Sequence, residues 1–456
     1  MDEVVALSEL VDALPAGVVL VDEDGLDKYR WDRALDPAAE RPLAAVRAES
    51  TAHVQLALRW ASKHRVPVVP RGAGTGLSGG ATALARGIVV STERMRGITI
   101  DRTTRMAVVQ PGLLNAEVKR AAAEVGLWYP PDPSSFEICS IGGNVATNAG
   151  GLCCVKYGVT TDYVLGLEVV LSDGTAVRLG GSRLKDVAGL SLTKLFVGSE
   201  GTLGIITEIT LRLMPAPAKS QTLAAWFPTT EAATAAILEI TAQLRPSMLE
   251  YMDRTSINAV EDLLHMGLDR RAAALIVARS DSWEDEGREL AVMIRACRQH
   301  GALDVISTAD EQEGELFVIA RRMAIPAVEK LGRLLLEDVG VPVPRLPELV
   351  AGVEAIAADR AVTIALIAHA GDGNTHPLIV FDPADPAMQD RAQLAFGEIM
   401  ELAITLGGTI TGEHGVGRLK RPWLEGQIGP DALALSERIK TALDPLNILN
   451  PGAIFS

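Results

Sequence analysis

The chain has little with which to hold an iron–sulfur cluster or a structural disulfide. It carries 4 cysteines in 456 residues, Cys139, Cys153, Cys154 and Cys297, with no C-x-x-C pair and no cluster spacing. Cys153 and Cys154 are adjacent, a spacing that rarely closes a structural disulfide, so both read as buried thiols. If this protein passes electrons onward, the relay is not in this chain. Cations are in deficit as well, 43 Lys and Arg against 58 Asp and Glu, which argues against nucleic acid as a partner. No apolar run approaches the ~20 residues of a membrane span. The start, Met1-Asp-Glu-Val-Val-Ala, lacks the basic and apolar regions of a secretory signal. Repeats and low-complexity tracts are missing too. The expected compartment is the cytoplasm, with peripheral membrane attachment as the alternative.

What is there is an ordinary globular composition, 48% apolar and 22% charged, in a chain long enough for two domains. Its densest feature is Val66-Pro-Val-Val-Pro-Arg-Gly-Ala-Gly-Thr-Gly-Leu-Ser-Gly-Gly80. Val66 to Val69 read as a buried strand running into a loop with glycine at Gly72, Gly74, Gly76, Gly79 and Gly80. Glycines this dense let backbone N–H groups converge on an anion, because no side chain blocks the approach and positive φ costs little. Thr75 and Ser78 add hydroxyl donors. A merely flexible surface loop is the alternative, and it fits poorly with so abrupt an exit from a buried strand. Gly74 to Gly79 also fits G-x-G-x-x-G, but that fingerprint needs a helix opening at its last glycine. Only Ala81 to Gly87 precede the next strand, Ile88 to Ser91, too few for a helical crossover, so a Rossmann domain is not expected.

The rest of the first half reads as mixed α+β. An amphipathic helix near the start precedes the charged segment Asp22 to Glu49. Thr51 to Arg65 has helical periodicity with Thr51 as N-cap. Ile98 to Ile100 and Met106 to Gln110 read as strands and Asn115 to Val125 as a helix. Trp128 to Ser135 is stiffened by three prolines into extended backbone, a wall for a flat ligand or a structural turn. Ile141 to Gly151 reads as a second loop rich in glycine and asparagine, and two such loops suggest a long ligand such as a dinucleotide. A hairpin turns at Asp173-Gly174. A third glycine-punctuated loop, Leu195 to Ile206, leads into a strand ending at Leu213. Pro215 and Pro217 mark a composition break and the expected domain boundary. Beyond it strands (Leu223 to Phe227, Ala273 to Ser280, Val362 to Ala368) alternate with helices (Glu231 to Leu244, Glu284 to His300, Glu315 to Gly332, Glu348 to Ala358, Met388 to Leu406).

The strand ending at Ala368 delivers His369-Ala-Gly-Asp-Gly-Asn-Thr-His376, and Pro377 to Phe381 returns as a strand. Imidazoles at the two ends of one tight turn can converge on a metal ion, although a lone histidine is more often structural. Glu413, in Gly407-Gly-Thr-Ile-Thr-Gly-Glu-His-Gly-Val-Gly417, would complete a set of two histidines and one carboxylate with positions open for substrate. His414 beside it suits a general base near neutral pH. Arg321-Arg322, in a helix ahead of Pro326, is the best candidate for gripping a substrate carboxylate, against the alternative of a solvated helix face.

Taken in order, these motifs resemble the FAD-linked oxidases of the vanillyl-alcohol-oxidase type, in the branch of glycolate oxidase catalytic subunits and D-lactate dehydrogenases. The resemblance rests on Arg71 to Gly80, Asp132-Pro-Ser-Ser135, Gly142 to Gly151, Lys156-Tyr-Gly158, Gly198 to Gly204, His369 to Asn374, His376-Pro377 and Gly412 to Gly417. It implies an α+β protein: a two-subdomain, PCMH-type FAD-binding domain over residues 1–217, an α+β cap over the flavin at 218–420, and a segment 421–456 returning to the FAD domain. Arg71, Gly72, Gly74, Thr75, Gly76, Ser78 and Gly79 would bind the pyrophosphate. Pro131, Asp132, Ser134 and Ser135, with Gly142, Asn144, Thr147, Asn148 and Gly151, would lie along the flavin. Glu200, Gly201, Gly204, Ile205 and Ile206 would lie towards the adenine, and Asn450 would also touch the cofactor. No histidine lies between Pro70 and Gly80, so the FAD is expected to be non-covalent.

The same resemblance implies that His369, His376 and Glu413 ligate a divalent metal (Zn, Mn or Fe) and that His414 is the catalytic base. Arg321 and Asn374 would contact the substrate. The implied reaction oxidises a D-2-hydroxy acid to the 2-oxo acid, with hydride transfer to flavin N5. Relatives acting on D-2-hydroxyglutarate carry a lysine where this chain aligns Leu336, so a monocarboxylate such as D-lactate or glycolate is favoured. The alternatives are a non-catalytic flavin-binding electron-transfer subunit and a metal-free alcohol or sugar oxidase. The electron acceptor (oxygen, a quinone or a partner protein) and any homodimer stay open.

Overall fold

The computed structural model describes residues 3–217, 219–282 and 287–455. The chain forms two compact units, one of Met1–Gly150, Val159–Ala216 and Glu413–Ser456, the other of Gly151–Gly158 and Pro217–Gly412. The returning segment thus starts at Glu413, ahead of the expected Arg421.

The first unit contains two sheets. In the smaller, Val19–Leu20, Ala44–Arg47, Ile88–Ser91 and Val68–Arg71 lie side by side in that order, the last three parallel. The strand Ala44–Arg47 lies inside the segment read only as charged. Its four residues are largely buried, and so short an apolar run is easily lost among flanking charges. Helix Thr51–His64 returns the chain from that strand to Val68–Arg71. Its N-cap is Ser50, whose side chain accepts from His53 N, and not Thr51 as expected. Val54, Ala57, Leu58 and Ala61 are fully buried on the helix face that meets Val46, Val68, Ile88 and Val90. No helix links Val68–Arg71 to its parallel neighbour Ile88–Ser91, only the glycine loop. The larger sheet is antiparallel in the order Ile98–Asp101, Met106–Val109, Ile205–Arg212, Val164–Val170, Ala176–Gly180.

Two expectations here need correction. Ile141–Thr147 is a helix and not a loop: Ser140 caps its start and Asn148, in left-handed conformation at φ 54°, ends it. Cys153 and Cys154 are half-buried, since they open a short surface helix at Cys154–Tyr157.

The second unit is built on one antiparallel sheet. Its strands run Asp304–Thr308, Gln221–Phe227, Ala274–Ser280, Met248–Asp253, Thr363–His369, Asn374–Phe381, Arg333–Leu336. Helices Thr230–Gln243, Arg254–Leu264, Arg288–Gln299, Leu346–Arg360 and Pro386–Thr405 belong to this unit. The expected start at Glu284 lies outside the described residues. The helix expected over Glu315 to Gly332 is Glu311–Arg322 followed by Ala324–Val328, divided at Met323, three residues before Pro326. Gly151–Gly158 joins this unit because Lys156 and Tyr157 both bond the buried carboxylate of Asp281.

In the first unit the returning segment adds to the edge of the parallel sheet: Val68 N donates to Ile448 O at 2.7 Å and Asn450 N to Val68 O at 2.8 Å. Buried Lys440 locks it there. Its ammonium bonds Asp444 and donates to Thr202 O at 2.9 Å and Leu449 O at 2.8 Å. Lys440→Met leaves Asp444 buried without its cation, so a loss of about 3–5 kcal/mol is expected in urea unfolding.

Candidate functional site

Strand Val68–Arg71 aims the glycine loop, and the loop's shape is set from outside it. Arg71 donates to Trp31 O at 2.8 Å and to Lys28 O at 3.3 Å, so it braces the loop from outside. At Gly74 φ is +75°, and a Cβ would lie 2.1 Å from Arg71 Nη2, so only glycine fits. Buried Asp32, which the sequence reading missed, accepts from Ala34 N at 3.0 Å and Ala81 N at 3.3 Å. Burial pushes its carboxyl up to about 6 against the pull of those donors. Among the described residues, the backbone N–H groups from Gly74 to Gly80 donate to no protein acceptor. A row of uncommitted donors on glycine backbone is the chemistry an anionic pyrophosphate needs. Ser78 does not contribute as expected: its hydroxyl gives its proton to Gly415 O at 2.7 Å. Thr75 keeps its place in the loop.

Ser140 joins this loop to the helix it caps, accepting from Ala73 N at 3.2 Å and Gly143 N at 3.3 Å. Asn144 is buried and accepts from Asn115 Nδ2 at 3.1 Å, while Asn115 also donates to Pro131 O at 3.3 Å. Thr147 Oγ1 donates to Gly143 O at 3.2 Å, and Asn148 Oδ1 accepts from Thr161 N at 2.8 Å. Asp132 is buried, whereas Ser134 is exposed and Ser135 partly so. A Cβ at Gly142 would meet Pro111, at Gly201 Pro70, and at Gly204 Val169, so packing requires glycine at these three, with φ of +72° adding to the demand at Gly201. Ile205 and Ile206 fill apolar cores, and Gly151 belongs to the second unit.

Glu200 and Asn450 clasp the returning segment. Glu200 Oε1 and Oε2 accept from Val416 N and Gly417 N, both at 2.7 Å. Asn450 Nδ2 donates to Gly80 O at 2.8 Å and Glu200 O at 2.9 Å, and its buried Oδ1 has no hydrogen-bond partner among the described residues. That spare acceptor beside the glycine loop fits a cofactor hydroxyl. These bonds fix the turn carrying Glu413 and His414, whose Oε1 and Nε2 are 3.5 Å apart. Burial pushes the Glu200 carboxyl up to about 7, with the two backbone donors pulling the other way.

In the second unit, strand register assembles a polar face. Ile367 opposes His376, His369 opposes Asn374, and Glu250 opposes His369. Directly opposed residues share a face, as do residues two apart, so Glu250, His369, Asn374 and His376 lie on one side of the sheet. His369 and His376 are each 3% exposed, with ring centroids 5.2 Å apart. His369 Nδ1 is 2.9 Å from both Glu250 oxygens, and His376 Nδ1 is 3.3 Å from Glu337 O. A carboxylate and a carbonyl can only accept, so both rings carry a proton on Nδ1, and in the neutral form the lone pair is on Nε2. Asp338, fully buried, accepts from Asn374 Nδ2 at 3.1 Å, Thr411 Oγ1 at 2.6 Å and Gly412 N at 3.0 Å. Arg321 is not on a solvated helix face: it is 1% exposed with Nε 2.9 Å from Glu250 Oε2. Two imidazole lone pairs on one buried face fit a divalent ion. Glu413 follows Gly412 directly in sequence but is counted with the first unit. Glu250, Glu337 and Asp338 carry no sequence motif, and only the strand pairing reveals them.

Residues 216–454 match the FAD linked oxidases, C-terminal domain, and residues 42–180 match an FAD binding domain. The glycolate oxidase subunit GlcD of Bacillus subtilis is 42% identical over 94% of this chain and 92% of its own length. The D-lactate dehydrogenase of Archaeoglobus fulgidus is 34% identical over 98% of each. A p-cresol methylhydroxylase structure superposes with a TM-score of 0.81 at 19% identity over 98% of this chain and 95% of that one, a likeness of fold alone.

Two outcomes are expected. Gly74→Val forces a side chain into the Arg71 guanidinium at positive φ, and the purified protein should lose its FAD absorbance while staying folded by circular dichroism. For Glu200, the folded chain holds a proton between pH 4.5 and about 7 that the unfolded chain has released. Its contribution is therefore fullest below pH 4.5 and falls as pH rises through 7. Wild type should lose a few kcal/mol relative to Glu200→Gln over that range, read from urea unfolding at several pH values.

Proposed function

This chain belongs to the FAD-linked oxidases, and we propose that it oxidises a small D-2-hydroxy acid, glycolate or D-lactate, to the 2-oxo acid with the help of a divalent metal. The observation that carries the reading is the pair of buried histidines on one sheet face, both with Nδ1 committed to an acceptor. Bound FAD would supply the acceptor for the hydride leaving the substrate Cα. The metal, Zn, Mn or Fe, would supply Lewis acidity that makes the α-hydroxyl easier to deprotonate.

The chain's own groups have the remaining roles. His369, His376 and Glu413 would hold the metal, and His414 would take the hydroxyl proton on its imidazole. Arg321 anchors the substrate carboxylate and Asn374 orients it. Leu336 supports a substrate with one carboxylate, because it packs against the apolar core and has nothing to offer a second. The names of the two curated relatives, one a glycolate oxidase subunit and the other a D-lactate dehydrogenase, support the same substrate class. The word subunit in the first supports a partner protein for this chain. No helix among the described residues is long and apolar enough to cross a membrane.

Anaerobic addition of glycolate or D-lactate should bleach the flavin absorbance of the purified protein, and prior chelation should prevent it. His414→Ala should keep its FAD and slow bleaching by about 10²–10⁴-fold. Bleaching unaffected by chelation would favour a metal-free oxidase, and a flavin that no hydroxy acid bleaches would favour an electron-transfer subunit.

A further inference from the structure

We propose that Glu250 is a positioning residue that sets the tautomer and orientation of His369 and ties it to Arg321. One buried carboxylate would then serve both metal holding and substrate anchoring. This rests on the roles given above to His369 and Arg321.

Glu250 stands in strand Met248–Asp253, 119 residues before His369, and is fully buried. Both its oxygens lie 2.9 Å from His369 Nδ1, and Oε2 is also 2.9 Å from Arg321 Nε. The contact is fixed on all sides. Glu250 and His369 are paired across adjacent strands, so backbone register sets their separation. Arg321 arrives from the last turn of helix Glu311–Arg322.

A carboxylate has no proton to donate, so Nδ1 donates to it, and the neutral ring then carries its lone pair on Nε2. Glutamine at this position would offer either its oxygen or its amide nitrogen to Nδ1. The amide would favour the opposite tautomer, with Nε2 protonated and unable to ligate. Partners of this kind also raise ligand basicity, and their loss lowers metal affinity by about 10- to 100-fold. Arg321 would lose its counter-charge in the same substitution, so substrate anchoring should weaken together with metal holding.

Zn²⁺ affinity of the full-length, FAD-loaded protein can be measured by competition with a fluorescent chelator, for wild type and Glu250→Gln. The expected result is a fall of about 10- to 100-fold in the variant at unchanged FAD content. In parallel, ¹⁵N spectra of histidine-labelled, metal-free wild type should show His369 protonated on Nδ1, with the signal identified by its loss in His369→Ala. If wild type binds Zn²⁺ and Glu250→Gln binds it equally well, the positioning role is wrong and the metal reading stands. If wild type takes up none of Zn²⁺, Mn²⁺ and Fe²⁺, both fall. If Glu250→Gln does not fold, the wild-type spectrum decides: an Nδ1-protonated His369 upholds the proposal and an Nε2-protonated one overturns it.

Discussion

A charge taken out of water has to be met by another charge or by aimed dipoles, and this constraint organises both units. Moving an ion into the interior costs several kcal/mol even after relaxation, so each buried charge here comes with its partners. Glu250 meets His369 and Arg321, Lys440 meets Asp444 and two carbonyls, and Glu200 meets the N–H groups of Val416 and Gly417. Each set joins segments far apart in sequence. Within the first unit, Glu200 and Ser78 hold the turn that follows Glu413 and His414 through bonds to Gly415, Val416 and Gly417.

The glycines divide by the same reasoning. Gly74 is needed for its dihedral angle and for the Arg71 side chain folded over it. Gly142 and Gly204 are needed because proline or valine packs against them, and Gly201 for its packing on Pro70 and its positive φ together. A motif rich in glycine therefore mixes two demands, close packing and open backbone donors. The run from Gly74 to Gly80 shows the second.

That division explains what could be read beforehand. The glycine loop, the histidine turn and the Glu-His pair were legible because each depends on residues close together in the chain. The missing crossover helix was legible from the short spacing to Ile88–Ser91, though not that the two strands would still run parallel. Ile141–Thr147 was misread as a loop because its helix depends on caps at Ser140 and Asn148 more than on apolar periodicity. Ser78 looked like a phosphate donor because its real partner, Gly415, lies 337 residues away. Glu250 was invisible for the same reason: a lone glutamate in an apolar strand has no local signature. Its meaning comes from the residue opposite.

Each histidine of the pair has a buried carboxylate behind its ring. His369 Nδ1 lies 2.9 Å from Glu250, and His376 Nδ1 lies 3.8 Å from Asp338 Oδ1 as well as 3.3 Å from Glu337 O. Negative charge at the far side of a ring strengthens the lone pair on the other nitrogen. The two edges of the face are nevertheless tied to different neighbours. Asn374 bonds Asp338, which in turn holds Thr411 and Gly412, so the His376 side of the face is tied to the chain that leads into Glu413. The His369 side is tied instead to Arg321. In the proposed reading one edge of the face is anchored to Arg321 and the other to Asp338, so a change at either edge would reach a bound metal through a different histidine.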